Sequence, residues 1–301
     1  MYRIIQKRNY LFGLSLVLLI PGIVGLFIWG LRLGIDFTGG SLIRLNFVNT
    51  PPAAQVVQDA AAQAGLKSVL VQETGTHGLT VRTEAMSNDQ RASFVEKLQS
   101  QDSSTVQESF ESIGPTIGNE LKRKAITATA IVLLIIVLYI TWAFRRVSSG
   151  PVPSWVYGVS AIIALIHDLF IVVGVFAIFG HFFGIEIDAL FVTALLTVLG
   201  FSVHDTIVVY DRIRERLISA AGKTFEDVVN ESLNQTMIRS INTSMTALLI
   251  LMALFLFGGE TIRNFVLALL IGIASGTYSS IFVAPPLLVI WHNWKLKKRA
   301  A

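Results

Sequence analysis

The sequence predicts a polytopic α-helical membrane protein: six transmembrane helices, with a small α+β extracytoplasmic domain between helices 1 and 2. Three observations carry that reading. Hydrophobic residues make up 53% of the 301 positions and charged residues 15%, against roughly 45–50% and about 25% in soluble domains. The apolar residues are bunched into long uncharged runs rather than spread along the chain. One interval, 32–124, shows instead short alternating segments, with nine basic and ten acidic residues. Bunching on this scale excludes a soluble enzyme and a disordered chain. The absence of cysteine excludes a disulfide scaffold and thiolate–metal chemistry.

The spans follow in order. Residues 11–29 form a 19-residue run without a charge, long enough for a hydrocarbon layer about 30 Å thick. That core exceeds the roughly 7–15 residues of a signal-peptide core, so an uncleaved anchor is expected, residues 1–31 comprising a cytoplasmic N-terminus and this first span. Five further spans are predicted in the bundle 125–301, at 125–144, 154–180, 189–210, 240–258 and 264–291. The third is interrupted only by His167 and Asp168, and the fourth only by His204 and Asp205. In the sixth, Pro285 and Pro286 are expected to break or kink the helix. Gly272, Gly276 and Ser280 form a ladder of small residues there, suited to close helix packing. Residues 224–232 read as an amphipathic cytoplasmic helix lying on the membrane.

Orientation follows from the basic residues of short loops. Thirteen of the 24 lysines and arginines gather on one side: Arg3, Lys7, Arg8, Arg145, Arg146, Arg212, Arg214, Arg216, Lys223, Lys295, Lys297, Lys298 and Arg299. Both termini are therefore expected in the cytoplasm, with 32–124 on the far side. The net charge of +4 is mostly a topology signal, and it needs no nucleic acid to explain it.

Within 32–124, residues 41–48 (SLIRLNFV) alternate like a half-buried strand. Pro51 and Pro52 open a helix that Gly65 ends. Residues 68–73 and 79–84 read as two strands joined by a turn at Gly75 and Gly78. Ser87, three residues before Gln90, caps a second helix, and 105–113 closes as a last strand. The order β-α-β-β-α-β is that of a ferredoxin-like unit.

Ionisable groups inside spans are costly and default to functional candidates. Asp205 on span 4 and Arg239 at the inner end of span 5 sit at similar depth, so they are candidates for a pair that binds and releases a proton as helices move. Alternatives stay open. Arg239 can snorkel to the headgroups, Asp205 can be a polar tie between helices, and His204 can tune or pack. His167 and Asp168 fit a helix–helix hydrogen bond as well as a relay. No nucleotide loop, metalloprotease motif or nucleophile elbow is present, so a non-enzymatic protein without cofactor or metal is expected.

Several segments together resemble one family. They are 34–40 (GIDFTGG), 111–118 (ESIGPTIG), 200–214 (GFSVHDTIVVYDRIR), 258–263 and 272–286 (GIASGTYSSIFVAPP). They resemble the SecF family, the smaller subunits of the bacterial SecD–SecF protein-export complex, within the resistance-nodulation-division group of proton-driven machines. The resemblance implies an accessory subunit of the Sec translocase in the bacterial cytoplasmic (inner) membrane. It would use the proton-motive force to promote preprotein translocation. Implied partners are SecD as a separate chain, SecY, SecE and SecG, YajC and YidC, the preprotein and membrane lipid. It also ties Asp205 and Arg239 to proton flow; His204, Asp168 and His167 are further candidates from their place in the spans alone. His204 departs from the small polar residue expected there. Asp36, Gly39, Gly40, Gly114 and Pro115 fall in the motifs flanking the spans, where the glycines are either hinges or ordinary turns. A small-molecule or lipid exporter of the same group, or a passive scaffold, remains an alternative.

Overall fold

The computed structural model describes residues 2–48, 50–102, 104–145, 151–219 and 222–300. Two compact units divide the chain: residues 1–32 with 127–301, and residues 33–126.

In the smaller unit, the helical turn Ile35–Thr38 leads into strand β1, Gly40–Asn46. The order then runs through helix Ala54–Gln63, strands β2 (Leu70–Thr74) and β3 (Gly78–Thr83), helix Asn88–Gln101 and strand β4 (Val106–Ile113). All pairings are antiparallel and the sheet order is β2-β3-β1-β4. Alternation puts Ile43 and Leu45 of β1 opposite Val81 and Leu79 of β3. These side chains share a core with Phe47, Val57, Phe94 and Leu98. Each such residue, taken out of water, contributes about 1.5–3 kcal/mol. Ser87 accepts from the Gln90 backbone N–H, and the Gln90 side chain accepts from the Ser87 N–H, completing the expected capping box. Gly65 takes a left-handed φ of +74° just past the first helix, where a side chain would be strained.

The larger unit is helical. Its long helices, labelled from here on, are α1 (Arg8–Trp29), α2 (Pro115–Ala143, which begins in the smaller unit), α3 (Ser154–Phe183), α4 (Ala189–Ile218), α5 (Phe225–Phe257), α6 (Glu260–Phe282) and α7 (Ala284–Ala300). Among the described residues, six segments are long and apolar enough to cross a membrane, α6 and α7 together making the last. Helices α3, α4 and α6 form the buried centre, and α2 and the far half of α5 keep most of their apolar surface outside. Asp188 caps α4 by accepting from the Phe191 N–H at 2.8 Å.

Several bounds differ from expectation: α2 begins at Pro115 rather than at 125, and α3 runs on to Phe183. Helix α4 runs two turns past residue 210, because Arg212 and Arg216 both donate to Gln235 on α5 and so continue the contact beyond the apolar stretch. Residues 225–232 are not a separate surface helix but the first turns of α5. Phe225, Val229 and Leu233 are buried in the main core, and Asn230 accepts from the Ile5 N–H at 3.0 Å, tying the chain's start to this segment. The sixth span divides as its prolines predicted: α6 ends at Phe282 and α7 begins at Ala284, with Pro285 and Pro286 in its first turn, where missing N–H groups are tolerated. Arg146, counted above among the cytoplasmic bases, lies outside the described residues.

Candidate functional site

Close approach of helices sets the stage. On α6, Gly272 and Gly276 face α4: a Cβ on Gly272 would lie 2.3 Å from Val198 Cγ2, and one on Gly276 would lie 2.8 Å from Ser202 Cβ. One turn on, Ser280 donates to the Ser202 carbonyl at 3.1 Å and accepts from Thr206 at 3.0 Å. The small-residue ladder thus packs along Val198, Ser202 and Thr206, bringing polar side chains of two helices together. A second close approach, Gly22 of α1 on Gly174 of α3, was not anticipated from the sequence; a Cβ on Gly174 would sit 2.5 Å from Gly22 Cα.

Two carboxylates occupy this polar centre. Asp168 of α3 is fully buried. Its Oδ1 accepts from Ser275 at 2.8 Å and pairs with His167 Nδ1 at 3.0 Å. Its Oδ2 accepts from Ser202 and from Ser279, each at 2.7 Å. One side chain therefore ties α3, α4 and α6. Hydrogen bonds to a charged group contribute about 1.5–3 kcal/mol each, so this hub is a strong lock on the bundle.

Asp205 of α4 lies three residues from Ser202, about 4.5 Å along the helix. It is 3% exposed, yet it accepts one hydrogen bond among the described residues, from Ser244 of α5 at 3.3 Å. Ser244 in turn accepts from Thr277 of α6 at 2.5 Å. Ser244 and Thr277 line an otherwise apolar groove of about 240 Å³ between α5 and α6. The carboxylate's partner is therefore on the wall of an open groove.

Arg239, one turn before Ser244 on α5, is exposed, as is His204. Among the described residues no ion pair or hydrogen bond joins Arg239 to Asp205. The sequence-predicted residues are thus neighbours of one carboxylate without being a closed pair. His167 is brought into the other centre, on Asp168. The serines that hold the two carboxylates, Ser202, Ser244, Ser275 and Ser279, were missed. Their signal was available as hydroxyls four residues apart inside apolar runs, 240/244 and 275/279.

The remaining predicted residues lie in the smaller unit. Gly39 and Gly40 have φ of +73° and +123°. A Cβ on Gly39 would meet Pro115 at 2.8 Å, and one on Gly40 would meet the Thr83 carbonyl at 2.6 Å. They form a tight turn whose geometry only glycine adopts without strain. Gly118 packs against Phe37 and Gly39 in the same way, while Gly114 has open space around it and Pro115 opens α2. Asp36 is half-buried in the turn before Gly39.

Comparison with known proteins finds relatives along nearly the whole chain. Residues 93–294 match the family described as protein export membrane protein SecD/SecF, C-terminal, and residues 24–51 match the SecD/SecF GG motif. The chain is 48% identical to protein translocase subunit SecF of Thermobaculum terrenum, over 97% of this chain and 95% of that protein.

The chain belongs to the SecF family.

The SecF of Anaerolinea thermophila is 45% identical, with the same coverage of 97% and 95%. Among solved structures, SecDF of Thermus thermophilus, titled a translocon-associated membrane protein, superposes with a TM-score of 0.83 at 32% identity. That match covers 97% of this chain but 39% of the SecDF chain. A second SecDF structure, in a form titled super-membrane-facing, gives a TM-score of 0.71 at 31% identity over 99% of this chain. With six apolar helices and these relatives, the chain is a multi-pass membrane protein. Its relatives are named as translocase subunits, not as enzymes.

Proposed function

We propose that this chain works as the SecF subunit of a Sec protein translocase, beside a separately encoded SecD, and that it couples proton entry to preprotein movement across the cytoplasmic membrane. The observation that carries the proposal is Asp205: a buried carboxylate in mid-bundle, held by one hydroxyl on the wall of an open groove. A carboxylate with so few donors has free lone pairs for a proton. Arg239 stands about one turn before Ser244 on α5, the residue that donates to Asp205, so a helix shift could make or break a contact between the two charges. Helix movement and proton binding are then two sides of one equilibrium.

The remaining expectations extend this reading. The sheet order and βαββαβ succession support a ferredoxin-like domain for 32–124, on the extracytoplasmic side if both termini are cytoplasmic. The paired glycines Gly39 and Gly40, wedged against Pro115 and Thr83, support a stiff turn at the edge of that domain rather than a loose hinge. SecY, SecE and SecG, with YajC and YidC, are the partners to which such a subunit would attach.

The test is preprotein export into inverted membrane vesicles with and without a proton gradient. Asp205→Asn and Arg239→Ala are expected to leave ATP-driven export intact and to remove the increment that the gradient adds. If both variants keep that increment, proton coupling at this site is wrong and a scaffold role is favoured.

A further inference from the structure

Two asparagines on the first turns of α5 hold the start of the chain. Segment 2–7 lies against these turns, and its Ile4 and Ile5 are buried in the main core with Phe225, Val229 and Leu233. Asn234 Oδ1 accepts from the Tyr2 N–H and Asn234 Nδ2 donates to the Tyr2 carbonyl, both at 2.8 Å. One side-chain amide thus matches both polar groups of one backbone residue, as a neighbouring strand would. Asn230 accepts from the Ile5 N–H at 3.0 Å and donates to the Gln6 side chain at 3.1 Å. Ile5 opens the helical turn Ile5–Lys7 and is fully buried, so its N–H has no partner within the turn and needs one elsewhere.

Asparagine is a poor helix former, so two of them four residues apart inside α5 weaken the helix, and their use lies in what they touch. Positions 230, 234, 237, 241, 244 and 248 recur three or four apart and share one stripe of α5. The stripe meets segment 2–7 at its start. Farther on, Ile241, Ser244 and Leu248 line the groove against α6, and Ser244 donates to Asp205. The ten residues from Asn234 to Ser244 span about 15 Å of continuous helix. Beyond Ser244 no residue of α5 is buried, so the far half does nothing to set the rotation of the helix. Segment 2–7, by contrast, runs into α1, which is seated on α3 through Gly22 and Gly174. The asparagines therefore join a helix with a loose far half to a firmly packed pair.

We propose that Asn230 and Asn234 are positioning residues for the Asp205 site: they latch α5 to segment 2–7 and so fix the rotation at which Ser244 meets Asp205. Neither asparagine touches the carboxylate; both act through the helix they share with Ser244. Use of the latch in transport rests on the coupling reading above, whereas the placement of α5 does not.

The chain has no cysteine, so two spin labels can be placed without removing a native thiol. Labels at Leu190→Cys on α4 and Leu249→Cys on α5, both exposed, report the distance between the two helices in the full chain in lipid nanodiscs. Asn234→Ala is the mild variant, since alanine favours the helix and any movement of α5 then comes from the lost latch. In it, and more so with Asn230→Ala added, the distance distribution is expected to split or to shift by about 1–2 Å, the scale of helix shifts in switching proteins. Thr224→Ala is the control: it removes the hydroxyl that caps α5 by accepting from the Asp227 N–H, leaves the latch in place and is expected to keep the parent distribution. An unchanged distribution in both latch variants, or an equal change in Thr224→Ala, overturns the proposal. In vesicles, Asn234→Ala is expected to lower the gradient-driven increment of export several-fold while ATP-driven export persists, and a full increment beside a displaced α5 overturns the role in transport. If Asp205→Asn removes the increment while α5 stays in place without the latch, this proposal fails and the Asp205 reading stands. If α5 moves while Asp205→Asn keeps the increment, the placement stands and the Asp205 reading fails.

Discussion

Two carboxylates share helix α4 as a neighbour or host, one turn apart, and they are built in opposite ways. Asp168 is enclosed by three helices and accepts four hydrogen bonds. Asp205 is almost as buried but accepts one, from a serine that lines an open groove. Burial alone therefore does not tell a structural group from a working one. A saturated carboxylate is a tie whose loss breaks the bundle, and an undersaturated one is free to change state without breaking it.

The largest effect expected from this contrast is on stability. Asp168→Ala strands four donors and should destabilise the bundle by about 3 kcal/mol or more, whereas Asp205→Ala strands one and should cost about 1 kcal/mol. Thermal unfolding in one detergent measures both; equal losses would break the distinction. Next comes Gly276→Ala. Its methyl group would press on Ser202 Cβ, so overpacking of about 1–3 kcal/mol is expected, together with a weakened Ser202–Asp168 bond. Melting temperature and proteolysis of the folded chain would report it.

Single donors give a finer test. Ser275→Ala and Ser244→Ala should each cost about 1 kcal/mol. Only Ser244→Ala, which removes the one hydrogen bond seen at Asp205, should alter the pH dependence of gradient-driven export. A change of profile in Ser275→Ala alone would reverse the roles assigned to the two sites.

The smallest effect serves as a control from the smaller unit. The Asp102 carboxyl is held below its ordinary value of 3.8, first by the Ser104 side chain and then by the Ser104 backbone N–H. A group whose affinity for protons falls on folding adds stability above its unfolded value, and that contribution fades as pH drops through its folded value. Asp102→Asn should therefore differ slightly from the parent near neutrality and converge with it below about pH 4. Circular dichroism during acid titration would show whether acid loss in this domain can be separated from events at the membrane carboxylates.

Much of this architecture was legible in the sequence because it rests on local causes. Long uncharged runs mark spans by length and hydropathy, Ser87 and Gln90 announce a helix start, and Pro285 with Pro286 stops α6 through missing N–H groups. Gly272, Gly276 and Ser280 revealed a contact face through their spacing. Asp205 stood out because a charge inside an apolar run is rare. What tertiary structure alone decided is which side chains meet. Ser202, Ser275 and Ser279 converge on Asp168 from two other helices, and that depends on helix rotation and approach, which single-chain periodicity leaves open. The same holds for Gly22 on Gly174, for the burial of 225–233 against the chain's start, and for the exposed side chain of Arg239, one of two readings that the sequence left open. Sequence determines the cost of placing a charge in a membrane; the neighbours that meet that cost are set by packing between segments far apart in the chain.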